Sequence, residues 1–503
     1  MMSRYERPLL WLMVAAAIVL FAIQVTSLYV TPVHNSYLWW GDESWLMAEY
    51  KEQLSSGVFR HPQAFGSSLF IANPFPFSAM WLTTLLYGGV SALFGANPID
   101  TGRSLTAVLS VVLLLATYLS LRKLGVERLI AACGVALLLS TRTFLLTSHS
   151  ARYDIVTALA IVGLLFLIAR LTRQSDIRSY ALIGLLCGAS LLVSIHVLLL
   201  VPLAVLYAAI SIRAGLRNAL AIAFASALVV GALYLIHIST QPTLSGESNL
   251  SENLRTIPIL RPFSWSVQSS NLEQKFDLLI SLAPQFFLLI ALVIVGIWSA
   301  KDKRGIVLYC VPFLGWLLLE PAGPSSYLIY FLPSVVIAAM LALKSAEGVA
   351  SRDLLLCLTT LLAIGLGMKD AIIAKQVGEQ LSAANKSAIS EAKQIIGDSP
   401  VVALNPALSH FDAAATAHFI ELPDRRANTV DGRGYLLTYN SSRMPGFMWE
   451  VAPLRQEIVD PAMVRTGHFL DVGRSYFRSL DTDLDTIFLQ SIDLNALYTR
   501  HIR

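Results

Sequence analysis

Asp42 and Glu43 are adjacent carboxylates framed by Trp39, Trp40 and Trp45, just after an apolar run over residues 9–30. Tryptophan concentrates at the lipid–water interface. Carboxylates beside a low-dielectric layer are costly, so this pair is the chain's first candidate for chemistry. Arg60 and His61 stand farther along the same polar stretch. A second group, Ser148, His149, Ser150, Arg152 and Asp154, occupies a short turn between two apolar runs. A third begins at Glu320 and continues through Gly323, Ser325, Ser326 and Tyr327 to Tyr330 and Pro333. A carboxylate next to an acceptor hydroxyl can act as general base. An arginine can neutralise a phosphate leaving group through paired N–H donors. A phosphate ester with its tail in lipid suits such a set.

Each of these residues also has a plainer reading. Asp42 and Glu43 fit equally as caps of an interfacial helix. Arg152 and Asp154 fit as a solvated loop pair, and His149 as a turn residue. Tyr327, Tyr330, Trp39 and Trp40 fit an aromatic belt. His196 and His237 lie near helix ends and receive no role.

The elements that must position these groups are membrane helices. The 503-residue chain is 55% hydrophobic and 14% charged, with mean hydropathy +0.63. Soluble domains average about 25% charged residues. Apolar runs long enough to cross about 30 Å of hydrocarbon recur along the first three quarters of the chain. Such runs satisfy their own backbone groups as helices. Cys133, Cys187, Cys310 and Cys357 all fall inside apolar runs and read as small core residues. The net charge of +4 is small, and nothing points to nucleic acid. The basic start resembles a signal n-region. Its apolar run is too long and lacks a small-residue cleavage site, so a retained first helix is expected.

Basic residues cluster in short loops: Arg4 and Arg7; Arg122, Lys123 and Arg128; Arg170, Arg173 and Arg178; Arg213 and Arg217; Lys301, Lys303 and Arg304; Lys344 and Arg352. The positive-inside rule makes all of them cytoplasmic. The run between Arg178 and Arg213 then holds a helix pair turning near residues 196–202. Residues 239–277 lie outside. Residues 77–94 break the parity and are read as a helix at the outer interface; a true span with the remainder inverted is the alternative. About eleven spans result, with the N-terminus inside and the C-terminus outside. The expected fold is a polytopic α-helical membrane domain over residues 1–375, whose first outer loop covers 31–103. A soluble extracytoplasmic α/β domain follows over residues 376–503. Within it, residues 387–396 read as a helix and 401–404 as a buried strand.

The order of the motifs resembles a known group. Gly41, Asp42, Glu43, Ser44 and Trp45 look like the Asp-Glu motif of the protein O-mannosyltransferases and lipid A aminoarabinose transferases. These belong to the C-type superfamily of membrane glycosyltransferases. Asn73, Pro74, Phe75, Pro76 and Phe77, with Phe94 and Gly95, resemble that group's Pro-Pro segment and juxtamembrane helix. Gly102, Arg103 and Ser104 resemble the arginine that opens its next span. Ala151, Arg152 and Asp154 resemble its Ala-Arg-x-Asp segment, and Tyr327 with Pro333 its Tyr-x-x-x-x-x-Pro segment. The likeness covers residues 9–170 well and 320–345 moderately.

This resemblance implies an inverting sugar transferase using a polyprenyl-phosphate-linked donor on the outer face of the membrane. The chain's modest size points separately to a bacterial inner membrane, whose outer face is periplasmic. Asp42 would be the general base, with Glu43 beside it. Arg152 and Arg103 would face the donor phosphate. The chain departs from the aminoarabinose type at Asn73, where a lysine is common, and Phe75 splits the proline pair. His61 or Arg60 would then help hold the phosphate. The acceptor, whether protein, lipid or glycan, is open. So is a divalent cation shared by Asp42 and Glu43, for which no further ligand is evident. The rivals are a transporter or flippase for a lipid-linked sugar, which calls for ionisable residues near span midplanes, and a scaffold whose outer domain binds a partner.

Overall fold

The computed structural model describes residues 3–27, 81–94, 98–240, 272–300 with gaps, 303–319, 328–345, 352–396 and four strands between 401 and 493. In chain order the helices are α1 (Ser3–Val25), α2 (Trp81–Phe94), α3 (Pro98–Lys123), α4 (Arg128–Leu139), α5 (Arg142–Thr147), α6 (Asp154–Ala169) and α7 (Ile177–Ala189). There follow α8 (Leu200–Leu206), α9 (Leu216–Thr240), α10 (Gln285–Ser299), α11 (Arg304–Leu319), α12 (Leu328–Ser345) and α13 (Arg352–Ile396).

Four segments are long and apolar enough to cross a membrane: Arg7–Val25, Asp100–Lys123, Leu216–Leu233 and Asp353–Gln376. Shorter apolar helices occupy the remaining stretches, among them Arg128–Leu139, Asp154–Ala169, Ile177–Leu192, His196–Ser211 and Leu328–Lys344. Large apolar side chains such as Trp11, Phe224 and Trp298 point outward, where only lipid suits them. The protein is a multi-pass helical membrane protein. Between Arg178 and Arg213 the chain forms two helical stretches: α7 ends at Ala189, two 3₁₀ turns cover Ser190–Leu192 and Ile195–Leu199, earlier than the turn expected near residues 196–202, and α8 follows.

The core centres on α12. Every residue from Leu328 to Met340 is buried. A helix apolar on all sides is stable only when surrounded, and α12 packs on α3, α4, α6, α10 and α11. Glycines allow the closest approaches. A Cβ at Gly134 on α4 would lie 2.7 Å from Met340 Cγ. On α7, Gly184 and Gly188 press against α9; a Cβ at Gly184 would come within 2.3 Å of the Ile222 carbonyl. This is the small-xxx-small packing that joins helices where no hydrophobic force acts between them.

Local signals explain the breaks. Gly125, at φ 79°, ends α3 in the left-handed conformation that suits glycine. The Thr141 side chain accepts from the Phe144 amide at 3.2 Å and starts α5. Asp176 caps α7, accepting from the Ser179 hydroxyl at 2.6 Å and the Ser179 amide at 2.9 Å. These bonds, the hydroxyl's first, hold the Asp176 carboxyl below its ordinary range. At one end of the bundle Arg142 Nε pairs with Asp370 Oδ2 at 2.7 Å, tying α5 to α13. Gln24 Nε2 donates to the Leu139 carbonyl at 3.0 Å and ties in α1.

The 45-residue α13 runs without interruption through residue 376. At 1.5 Å per residue it is about 68 Å long, far more than a membrane requires. The expected helix over 387–396 is its final stretch. Beyond it, the strands β1 (Val401–Ala403), β2 (Arg433–Ser441), β3 (Val464–His468) and β4 (Leu484–Asp493) form one mixed sheet in the order β1-β2-β4-β3. β1 runs parallel to β2, with Val401 opposite Tyr435. β4 runs antiparallel to both β2 and β3. All four cysteines are buried thiols; Cys133 and Cys357 lie with their sulfurs 3.9 Å apart between α4 and α13.

Candidate active site

Three helix starts meet at one end of the bundle. α3 begins at Pro98 and carries Arg103; α6 begins at Asp154; α12 begins at Leu328 and carries Tyr330. Each pair of these helices is in contact. The short α5 delivers the chain to the turn that contains Arg152, and within that turn local bonds set the side chains. The Ser148 hydroxyl donates to the Leu145 carbonyl at 3.1 Å. His149 Nδ1 lies 2.6 Å from the same carbonyl. A carbonyl can only accept, so Nδ1 carries the proton.

Arg152 and Asp154 form an ion pair, Nε to Oδ2, at 2.9 Å. Their side chains are 1% and 0% exposed, so this is no solvated loop pair. Burying two charges is expensive unless further polar contacts support them. The Tyr330 hydroxyl supplies one, donating to the other carboxylate oxygen of Asp154 at 2.7 Å. Asp154 also lies in the first turn of α6, where the helix dipole attracts negative charge. Arg152 Cζ lies 5.5 Å from the centre of the Tyr153 ring, within reach of a cation–π attraction. The Tyr330 ring is packed in turn by His196, with centroids 5.2 Å apart, and by Tyr153 at 6.5 Å.

Arg103 is 3% exposed and sits one residue after Gly102. A Cβ at Gly102 would lie 2.9 Å from both Ala151 Cβ and Tyr87 Cδ2. Glycine there lets the first turn of α3 lie directly against the Arg152 turn. Tyr87 on α2 seals the contact. Its hydroxyl donates to the Arg152 carbonyl at 2.9 Å and lies 2.6 Å from Thr106 Oγ1 on α3. A buried cation also lies at the end of α11: Lys275 Nζ donates to the Trp316 and Leu317 carbonyls at 2.7 and 3.0 Å, over the Trp316 ring. It neutralises the negative end of that helix. Trp316 meets Phe331, the residue after Tyr330, at 6.2 Å.

Of the residues singled out in the sequence, Arg152, Asp154 and Tyr330 are thus brought into one cluster. His149 is in the same turn, and Arg103 opens the helix packed against it. Asp42, Glu43, Arg60, His61 and Tyr327 lie outside the described residues. Among the described residues no three His, Cys, Asp or Glu side chains gather to hold a metal ion. Sequence reasoning missed Tyr87, His196 and Lys275. Tyr87 had a signal: Thr83, Tyr87 and Ser91 repeat every four residues and form the buried stripe of α2.

The architecture matches solved membrane proteins. ArnT from Cupriavidus metallidurans, in a crystal structure bound to undecaprenyl phosphate, aligns with TM-score 0.54 and 13% identity, over 95% of this chain and 97% of that one. Its apo state aligns equally, at 12% identity. The apo oligosaccharyltransferase of Archaeoglobus fulgidus aligns with TM-score 0.50 and 12% identity, over 77% of this chain and 58% of that one. No protein-family model and no curated protein matches the chain. The chain therefore has the fold of the C-type membrane glycosyltransferases, as the order of its motifs implies.

Proposed function

We propose that the protein is an inverting glycosyltransferase that moves a sugar from a polyprenyl-phosphate donor to an acceptor at the outer face of a bacterial inner membrane. The observation that carries this reading is the end-to-end likeness in fold to ArnT, a protein crystallised with undecaprenyl phosphate. The buried Arg152 cluster and the Gly-Asp-Glu-Ser-Trp segment supply matching chemistry.

In this reading Asp42 takes the proton of the acceptor's nucleophilic group, with Glu43 beside it. The acceptor atom attacks the anomeric carbon from the face opposite the phosphate. The bond from that carbon to the phosphate oxygen breaks, and polyprenyl phosphate leaves with the electron pair. A single displacement inverts the anomeric centre. Arg152 and Arg103 offset the charge that develops on the phosphate. Asp154, Tyr330 and His149 fix the Arg152 turn. Arg60, His61 and Tyr327 complete the donor side. Holding donor and acceptor together can supply several kcal/mol of the rate enhancement.

The same reading sets the topology at about eleven spans, with α2 in the outer interface and residues 376–503 as an extracytoplasmic domain that selects the acceptor. A transporter would place ionisable groups near span midplanes. Among the described residues, Arg103, Arg152 and Asp154 instead sit in or beside the first turns of α3 and α6, which favours the enzyme.

The test is transfer of radiolabelled sugar from extracted polyprenyl-phosphate sugars, in membranes carrying wild-type protein or Asp42→Asn. Label should reach a new product with wild type alone, and that product identifies the acceptor. Equal transfer by both proteins would remove Asp42 from the mechanism. No transfer by folded wild type across several donors would sink the transferase reading. Repeating the assay with a divalent-ion chelator decides whether Asp42 and Glu43 share a cation.

A further inference from the structure

At the end of the bundle opposite Arg152, a cavity of about 280 Å³ is lined by Arg7, Leu10, Arg122, Glu127 and Arg128. The separation follows from α3, which carries Arg103 in its opening turns and Arg122 in its last, about 29 Å away at 1.5 Å per residue. The lining comes from three elements: Arg7 and Leu10 from α1, Arg122 from the end of α3, and Glu127 and Arg128 from the start of α4. We propose that this cavity binds the phosphodiester headgroup of an anionic phospholipid from the leaflet on that side.

Four observations support a built site over a merely basic loop. First, the α3–α4 turn is clamped. Arg122 Nη1 donates to the Val126 carbonyl, and Lys344 Nζ from α12 donates to the Leu124 carbonyl at 3.1 Å. The guanidinium of Arg122 is therefore held in place at the cavity wall, while Arg7 and Arg128 remain exposed beside it. Second, three guanidinium groups against one carboxylate leave the cavity positive. Arginine forks match phosphate oxygens in paired contacts, and basic pockets between membrane helices on the cytoplasmic side take anionic headgroups. Third, the size is right for a headgroup: the volume falls just below the roughly 300 Å³ where pockets for drug-sized ligands begin. Fourth, the wall is graded. Leu10 lies one turn beyond Arg7 along α1, so a lipid can set its phosphate on the arginines and its glycerol backbone against an apolar side chain. A free phosphate ion gains nothing from Leu10. Glu127 adds an acceptor for a headgroup hydroxyl, as in phosphatidylglycerol.

Native mass spectrometry of the full-length protein, titrated in detergent with phosphatidylglycerol, tests this directly. Wild type should retain one phosphatidylglycerol more tightly than phosphatidylcholine. Arg7→Gln with Arg128→Gln should weaken that affinity roughly thirtyfold, the loss expected from two basic residues at an anionic surface. Arg7→Lys with Arg128→Lys preserves the charges that orient the chain and loses only the forks, so its affinity should fall between the two. Glycerol phosphate is the competitor that separates lipid from free phosphate, and it should not displace the lipid at equal concentration. Unchanged binding in the Gln pair would overturn the site. Unchanged binding in the Lys pair would overturn the paired contacts. Displacement by glycerol phosphate would assign the cavity to a soluble phosphate instead. None of these readouts depends on glycosyl transfer.

Discussion

Asp154→Asn isolates the ion pair at the heart of the site. The substitution preserves shape and volume and removes one charge from a pair 2.9 Å apart, with its side chains 1% and 0% exposed. The carboxamide that replaces the carboxylate would still accept from Tyr330 on one side. Its amino group would then turn N–H donors toward the N–H donors of Arg152, stranding a buried cation. Removing one partner of a buried pair costs about 3–5 kcal/mol. Replacing Arg152 with Gln as well removes the stranded charge, so the double variant should lose less than the two single losses combined. The difference should fall in the range of about 0.5–3 kcal/mol typical of coupled neighbours. Tyr330→Phe deletes a buried 2.7 Å bond to a charged acceptor and should cost about 1.5–3 kcal/mol. Unfolding free energies from titration with a denaturing detergent in mixed micelles measure all of these. Losses that add in the double variant would show that the two residues are not coupled, and the account of a mutually supported cluster would fall.

Three further outcomes are expected. Arg152→Lys keeps the charge and loses the fork, so the KM for the donor should rise about tenfold while the KM for the acceptor stays put; a change confined to the acceptor would contradict the phosphate role. Gly184→Ala places a Cβ 2.3 Å from a backbone carbonyl of α9 and should cost about 1–3 kcal/mol through overpacking; an unaltered melting temperature would mean that α7 and α9 have slack between them. A cysteine placed at Ser270 should react with an impermeant maleimide in intact cells, because residues 239–277 are assigned to the outer side; labelling only after lysis would invert the topology.

The sequence discloses membrane helices well because length and apolarity decide them. Parity places a turn near residues 196–202, on the premise that Arg178 and Arg213 share a side; the structure breaks the helix somewhat earlier, over residues 190–199. The Arg152 turn was legible as a polar break between apolar runs. What period and composition could not reveal is partnership. Arg152 and Asp154 read equally as a solvated pair, because their spacing is the same on a surface as in a core. Their burial depends on Tyr330, 176 residues beyond Asp154, and on Tyr87 from α2. Tyr330 itself fits an aromatic belt as readily as a site. Lys275 was invisible for the same reason: its partners are carbonyls of α11, and backbone acceptors leave no trace in residue identity.

The contacts around Arg152 bear on how such a site would work. Its carbonyl is held by Tyr87, its guanidinium by Asp154, and Asp154 by Tyr330. Gly102 brings α3 against the preceding residue, and His196 packs the ring of Tyr330 from another side. A cation braced by α2, α3, α6 and α12 cannot follow a substrate that arrives out of place. Groups fixed in advance stabilise developing charge without reorganising when it appears, and a water-poor setting strengthens that effect. Under the proposed mechanism the phosphate must then come to Arg152. On that same mechanism, variants of the braced cluster should alter stability and donor use together, whereas Asp42→Asn should alter turnover alone.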